Sequence, residues 1–572
     1  MYLFGSSFVK KEQFNRSVMD NWQKNINLIA DLSVNQMVRA THHVGPFILS
    51  LWFVLPKHHP LIYKEDLSGG LSFYLFGDPG PYSVVELCRQ VVMAYQRGHF
   101  IKLTQLTMLY NLILIDHKLD KLFFFCDSYQ CQIAFYSQYN TEYLISNSLK
   151  GMVTHPNAEP SLDYDEFINT LLLGNQFPEK TLISDVKRLR PNYYLAYPEG
   201  SSHKLPTLET EKDPGLSMVD CVETIHQLSL DALRPWVEKN QVGLLFSGGN
   251  DSTSVAQLLQ KQRGNQSFNY TYLTGSHDMN RDNVLCAKTM LGLSTHFLNY
   301  PIDTIANQQE RSIWHGESDM VGLNALNVSL ETTLTNTISN HCSAWTVGDY
   351  FQIPLKLNLY DSTNSMFDKL RRVFSNGILN KKELSTLFVI SLKLPQKLLH
   401  LTESLALLSG AEAFSEFTLA IYPASLYRLR NRINNFSATN FYLSRDQSLS
   451  NFINTIPRNL IQQITHNHQG KITVLFHEIL KKILGAFYER GAKKSWMEAF
   501  VNLDKENVVK KEIQHYLRHE SSLMKTLFGD KINGILEAQS FVKRYDNLLF
   551  SLWSLDIFYR QFIVGKGRHP PQ

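Results

Sequence analysis

Cysteine is scarce: six residues in 572, at positions 88, 126, 131, 221, 286 and 342. None stands in C-x-x-C. The nearest pair, Cys126 and Cys131, has no second pair or His cluster to complete a zinc site. A disulfide scaffold and a zinc finger are therefore excluded, and all six read as reduced core residues of a cytoplasmic protein. Charge of one sign is lacking too. Lys and Arg number 56 against 52 Asp and Glu, a formal net charge of +4. That balance argues for neither nucleic acid nor a membrane surface as partner. No apolar run spans a membrane, because the stretch Leu387–Leu408 is broken by Lys393, Lys397, His400 and Glu403. It reads as a buried or amphipathic helix. The opening MYLFGSSFVKKEQF has no long apolar core of a signal peptide. Internal repeats and low-complexity tracts are missing, and so is G-x-x-x-x-G-K-[ST], which excludes a Walker loop.

What is present suits a globular enzyme: 44% hydrophobic and 19% charged residues. The length implies two or three domains. The first part carries short apolar or alternating runs at Gly45–Leu55, Leu71–Phe76, Leu109–Ile115, Lys121–Cys126 and Gln132–Tyr136, with turn residues between. That is an antiparallel sheet pattern. The loop-like stretch Gly200–Pro206 through Lys212–Gly215 marks a domain boundary. After it come a helix (Met218–Lys239), a strand (Val242–Phe246), a second strand (Phe268–Leu273), a helix (Asn283–Leu291) and a third strand (Thr295–Tyr300). Strands alternating with helices predict a parallel doubly wound sheet. From about Thr363 onward the pattern is largely helical.

The most informative segment is Gln241–Gln260, QVGLLFSGGNDSTSVAQLLQ. An apolar strand empties into Ser247-Gly248-Gly249-Asn250-Asp251-Ser252, and a helix follows at once. Gly248 and Gly249 have no Cβ, so backbone amides can converge on an anion. Ser252 lies where the helix begins, and that end favours negative charge. Asp251 beside phosphates is repulsive unless Mg²⁺ sits between them.

This segment resembles the SGGxDS PP-loop of the ATP pyrophosphatases. The order of parts resembles the asparagine synthetase class within them. Leu112–Asp127 is similar to the paired strands of that class, and Tyr143-Leu-Ile-Ser-Asn-Ser-Leu-Lys150 to its F-A-S-E-L-K strand. Leu162-Asp163, Leu171–Gly174, Thr181 and Lys187–Asn192 follow the track that leads to its synthetase domain. The resemblance implies an α/β protein of two parts. Residues 1–205 would be a degenerate, β-rich glutamine-amidotransferase-like domain of the Ntn type (αββα). Residues 206–572 would be a doubly wound PP-loop synthetase domain with a helical C-terminal part. Glutamine-using members expose a Cys after the initiator Met. Tyr2 stands there, so glutaminase chemistry is not expected and the first domain reads as a retained scaffold. Such a loss is typical of β-lactam synthetases and of lasso-peptide macrolactam synthetases.

By the same resemblance, Ala344-Trp-Thr-Val-Gly348-Asp349-Tyr350-Phe351 is the second metal-side motif in eroded form, with Trp345 and Val347 replacing its glycines. The expected site follows. Ser247, Gly248, Gly249, Asp251, Ser252 and Gly348 would hold the phosphates of ATP. Asp251 and Asp349 would hold Mg²⁺. Leu273 and Thr274, after Tyr272, would border the adenine, with His277, Asp278 and Asp282 in the loop beyond. Lys493, with Lys494 in reserve, would stabilise charge in the amide-forming step, in the run Arg490-Gly-Ala-Lys493-Lys494. The expected enzyme is an ATP-dependent, AMP-forming carbon–nitrogen ligase. It would adenylate a carboxylate and close a macrolactam in a ribosomal peptide, as lasso-peptide cyclases of antibiotic biosynthesis do. Its partners would be a precursor peptide, a leader-peptide-binding protein and a leader protease. Tyr350 in place of an acidic residue favours this over a small-molecule amide synthetase. So does the aromatic and basic set Tyr422, Tyr427, Arg428, Arg430, Arg432, Trp496, Trp553 and Tyr559. An asparagine or β-lactam synthetase and an inactive ATP-binding scaffold stay open as alternatives.

Overall fold

The structure is a computed structural model. It describes residues 3–316 except 30–34, 57–61, 68–69, 79–82, 107–108, 128–132, 174–178, 191, 206–210, 240, 264–267, 274–278, 300–306 and 308. It also describes 337, 341–348 and 382, and 439–566 except 444–445, 462, 468–469, 491–507, 541 and 543–544.

Among the described residues, twelve strands build the first half: β1 Leu3–Lys10, β2 Asn35–Val44, β3 Phe47–Pro56, β4 Ile62–Leu67, β5 Leu71–Asp78, β6 Leu109–Asp116, β7 Lys121–Cys126, β8 Phe135–Tyr139, β9 Glu142–Ser146, β10 Lys187–Arg188, β11 Tyr193–Tyr197 and β12 Ser201–Lys204. They form two six-stranded sheets, in the orders β10-β8-β9-β1-β3-β2 and β12-β11-β7-β6-β5-β4. The pairings within both are antiparallel. Side chains on a strand alternate between its two faces, and the packing follows that period. Phe4, Phe8, Leu49, Leu51 and Phe53 of the first sheet meet Tyr74, Phe76, Ile113, Ile115, Leu122 and Phe124 of the second. The alternate residues face outward. On the second sheet Phe73, Leu75, Leu112, Leu114, Phe123 and Phe125 are covered by helix α2 (Val84–Gln96) through Leu87, Val91 and Ala94. On the first sheet Trp52, Val54, Phe135 and Leu144 are covered by α1 (Arg16–Ile29), α3 (Leu149–Val153) and α4 (Tyr164–Leu173). The layers therefore run helix, sheet, sheet, helix.

The outer core of the first sheet has a second set of contributors. Helices Gln309–Gly316, Val508–His519, Ser522–Phe528, Lys531–Glu537 and Tyr545–Phe558 pack into it through Trp314, Ile513, Leu517, Met524, Ile535, Leu552 and Leu555 among others. Trp553 and Tyr559 lie against that same core, partly buried. They are packing residues here; the other six residues of the aromatic and basic set lie outside the described residues. Fully buried Lys150 fastens the junction. Its Nζ donates to the Trp314 carbonyl at 3.0 Å and stands 5.0 Å from that indole's centre.

The second half holds α5 (Met218–Lys239), β13 (Val242–Leu245), α6 (Asn250–Arg263), β14 (Phe268–Leu273), α7 (Met279–Leu291), β15 (His296–Asn299), β16 (Ala344–Val347) and β17 (Thr439–Phe441). These five strands form one all-parallel sheet in the order β15-β14-β13-β16-β17. Buried strand residues Val242, Leu244 and Phe441 meet Leu233 and Trp236 of α5 and Val255, Leu258 and Leu259 of α6. Helices Gln447–Thr455 and Val474–Leu484 close the same core through Leu449, Ile453, Leu475, Ile479 and Leu480. The parallel sheet and the α5 boundaries match expectation. Two elements were not anticipated in the largely helical C-terminal part: strand β17 and the hairpin Ile464–Asn467 with Gly470–Thr473. Runs of three or four residues are too short to show a period.

Candidate active site

The loop 247–249 follows the end of β13, the central strand of the parallel sheet. From β13 the chain passes outward through β14 to β15, then returns to the other side of β13 for β16 and β17. The strand order thus reverses between β13 and β16. In open parallel sheets the crevice beyond the carboxyl ends at such a reversal is where ligands bind. Register places Leu245 beside Val347, so the loops that leave these two strands start side by side.

Local chemistry pins the loop. The Phe246 amide donates to Tyr270 O at 2.8 Å, and Thr271 Oγ1 donates to Phe246 O at 2.6 Å. Gly248 then takes φ +72, which a side chain resists. A Cβ there would stand 2.6 Å from both Asn283 C and Val284 N of α7. The glycine is therefore required twice, by torsion and by the close approach of a neighbouring backbone. The next bond is helical, from the Thr253 amide to Gly249 O at 2.9 Å. That makes Gly249 the N-cap of α6. The first-turn amides of a helix have no intrahelical acceptor, and its dipole favours an anion at that end.

The two serines staple the turn. Ser252 Oγ accepts from the Ser247 amide at 3.3 Å, lies 3.1 Å from Ser247 Oγ and donates to Gly249 O at 3.1 Å. Ser247 Oγ accepts from the Gly249 amide at 3.4 Å. Asp251 is half-buried in the first turn of α6, and Ser252 is buried. Buried Asn250 Oδ1 and Thr253 Oγ1 have no hydrogen-bond partner among the described residues. Polar atoms left in that state at a helix start are where water or a ligand donor belongs.

Gly348, the first residue beyond β16, joins this constellation. A Cβ on it would fall 2.4 Å from Ser252 Cβ and 2.7 Å from Ser252 N. The second loop thus lies directly on the first. Trp345 and Val347, the positions where glycines were expected, are buried strand residues rather than loop residues. Trp345 stands beside Gly243 in the β13–β16 register.

The structure brings together Ser247, Gly248, Gly249, Asp251, Ser252 and Gly348. Leu273 ends β14, the strand next to β13. Asp282 is exposed in α7. Thr274, His277, Asp278, Asp349, Tyr350, Lys493 and Lys494 lie outside the described residues. Arg490 ends the helix Ala486–Arg490. The wall formed by Asn283 and Val284 was not anticipated, because nothing local links residue 283 to residue 248. Burial pushes the thiols of Cys126, Cys221 and Cys342 up, and Cys88 and Cys286 are half-buried; Cys131 lies outside the described residues.

No family model and no curated protein matches the chain. Among solved structures, the chain is similar to the NH3-dependent NAD synthetase of Campylobacter jejuni, solved with a nitrate ion. Identity is 16%, over 38% of this chain and 94% of that one, with a TM-score of 0.20. It is also similar to the glutamine phosphoribosylpyrophosphate amidotransferase of B. subtilis, complexed with ADP and GMP. Identity is 10%, over 46% of this chain and 64% of that one, with a TM-score of 0.22. At these scores the chemistry of the site rests on its own geometry.

Proposed function

We propose that the chain is an ATP-dependent, AMP-forming amide synthetase of the PP-loop kind. One observation carries this reading: a Ser-Gly-Gly-Asn-Asp-Ser turn at the carboxyl end of the central parallel strand, opening a helix at the point where strand order reverses. The site fits a polyphosphate. Gly248 and Gly348 let the two loops close on α7 and on Ser252, and α6 presents its amino end. Asp251, with Asp349, would hold Mg²⁺. That ion needs only one or two protein carboxylates beside substrate phosphates, and it would neutralise the charge of the departing pyrophosphate.

A carboxylate is a poor acyl donor at neutral pH. Its oxygen attacks the α-phosphorus of ATP, pyrophosphate leaves, and an amine then displaces AMP from the acyl carbon. The chain's own residues bind and orient: the 247–252 turn holds the pyrophosphate end, and the apolar end of β14 borders the base. Lys493 would stabilise charge that appears only as the amide forms. The finer reading is a macrolactam synthetase acting on a ribosomal peptide, whose amine and carboxylate belong to one chain. The order of parts and Tyr350 support it. The test is product analysis with MgATP and any short precursor peptide found encoded beside this chain. AMP, pyrophosphate and a peptide lighter by one water are expected. ADP with phosphate would overturn the adenylate chemistry. Turnover of aspartate with ammonia, and no dehydrated peptide, would replace the macrolactam reading with a small-molecule one.

A further inference from the structure

A second ligand site is suggested far along the sequence from the nucleotide loop. Helix Val508–His519 buries Val509, Ile513 and Leu517 in the core shared with the first sheet. Its outer face carries His515 and His519, one turn apart and both exposed. Residues four apart on a helix are neighbours, and here the two imidazole centres stand 4.7 Å apart with their planes at 45°. Two imidazoles on one ion, at about 2.0–2.1 Å from metal to nitrogen and about 90–110° at the metal, have ring centres about 4.5–5.2 Å apart. The ring centres of the pair already stand within that range. Glu520 adds negative charge beside it, with its Oε1 4.0 Å from His515 Nε2.

A second histidine pair among the described residues shows what such a site is not. His42 and His117 have ring centres 6.4 Å apart. Their Nε2 atoms are already engaged, with Tyr74 OH at 2.6 Å and Ser72 Oγ at 3.0 Å. Binding one ion through those Nε2 atoms would break both hydrogen bonds, and the ring centres lie beyond the chelating range.

We propose that His515 and His519 form a two-imidazole chelate for a borderline divalent transition ion. No group of three metal-ligating side chains exists among the described residues, so water completes the coordination. Imidazole ligands and the Irving–Williams order give Cu²⁺ the highest affinity, with Ni²⁺ and Zn²⁺ behind it, and Mg²⁺ and Ca²⁺ excluded. An ion bridging one turn clips the helix near its carboxyl end, next to Ser521, whose hydroxyl caps the following helix. Metal binding therefore raises the stability of this element by linkage.

The experiment uses the full chain without a tag and Cu²⁺ alone as probe, with binding followed by calorimetry and by Cu²⁺ electron paramagnetic resonance. His515→Gln, His519→Gln and the control His99→Gln are compared, His99 being exposed and outside both pairs. The proposal requires one equivalent of Cu²⁺ with two-nitrogen hyperfine structure, an affinity at least about tenfold lower in each of the two helix variants, and no change in the control. It requires Cu²⁺ to raise the melting temperature of the parent and the control, but not of the two helix variants. Both substituted residues are exposed, so the metal-free melting temperatures stay together. Equal Cu²⁺ affinity in either helix variant, or an equal loss in the control, would overturn it. The outcome is independent of ATP turnover.

Discussion

Two glycines with nearly the same torsion separate the steric part of the 247–252 loop from its conformational part. Gly248 has φ +72 and Gly292 has φ +66. A Cβ at Gly292, just past the end of α7, meets nothing within 4 Å, whereas one at Gly248 falls 2.6 Å from the α7 backbone. Gly292→Ala should therefore carry only the left-handed penalty, about 1–2 kcal/mol. Gly248→Ala carries the same penalty and must also push loop and helix apart, a further ~1–3 kcal/mol of overpacking. Because the neighbouring atoms are backbone rather than a flexible side chain, the loop moves and not merely a rotamer. If the 247–252 turn holds the phosphates, that surplus appears in MgATP affinity as roughly a 5- to 150-fold loss, at about 1.4 kcal/mol per tenfold. Urea titration gives the stability term and calorimetry with MgATP the binding term. The reasoning requires both variants to lose stability and only Gly248→Ala to lose MgATP. Equal MgATP affinity in the two variants would refute it.

Further outcomes follow from other sites. Asp251→Ala should abolish AMP formation while costing the helix start only about 0.3–1 kcal/mol; retained turnover in a product assay removes its metal-bridging role. Lys493→Ala should slow amide formation far more than MgATP binding, measured as turnover against calorimetric affinity; parallel losses would mark it as a binding residue. The buried pair Lys510–Asp546, 2.6 Å apart and almost fully enclosed, predicts a loss of about 3–5 kcal/mol for Asp546→Ala in urea, with most of it recovered in Lys510→Met/Asp546→Leu. Glu142 supplies a pH test. Burial alone would raise its pKa, but hydrogen bonds from His155, Ser7 and Asn157 and the His155 charge outweigh that and hold it below its ordinary 4.5. A lowered carboxylate stabilises the fold above the unfolded value and loses that contribution as pH falls through the folded one. The stability of the parent should thus fall more steeply below pH 4.5 than that of Glu142→Gln.

How much of this was legible depends on whether the signal is local. The loop was legible because glycine torsion, a strand before it and a helix after it all lie within twenty residues. Strands β6 and β7 were legible because Leu109–Asp116 and Lys121–Cys126 are apolar runs split by a turn. Strand β2 was not singled out: NQMVRATHHV is an edge strand with mostly polar, exposed residues, so its sequence shows no apolar face. Strand β8 runs Phe135–Tyr139 rather than Gln132–Tyr136, because a strand's ends are set by its partners β9 and β10. The amphipathic pattern of Val508–His519 says that one face is buried. It does not say that the face packs on Tyr545–Phe558, within the core that also holds Trp22 and Trp52.

The second motif shows the same limit from the other side. In the sequence, Trp345 and Val347 look like damage to a glycine loop. In the fold they belong to β16, and the loop begins only at Gly348. What must stay small is the single residue lying on Ser252. A larger side chain at 348 would separate the two strand-end loops, while exchanges at 345 and 347 alter packing within the sheet. The motif should therefore be judged by its last glycine and the aspartate after it, and Gly348→Ala should weaken MgATP binding where Val347→Ile does not. Equal affinities in that pair would show that the contact between the loops plays no part in the site.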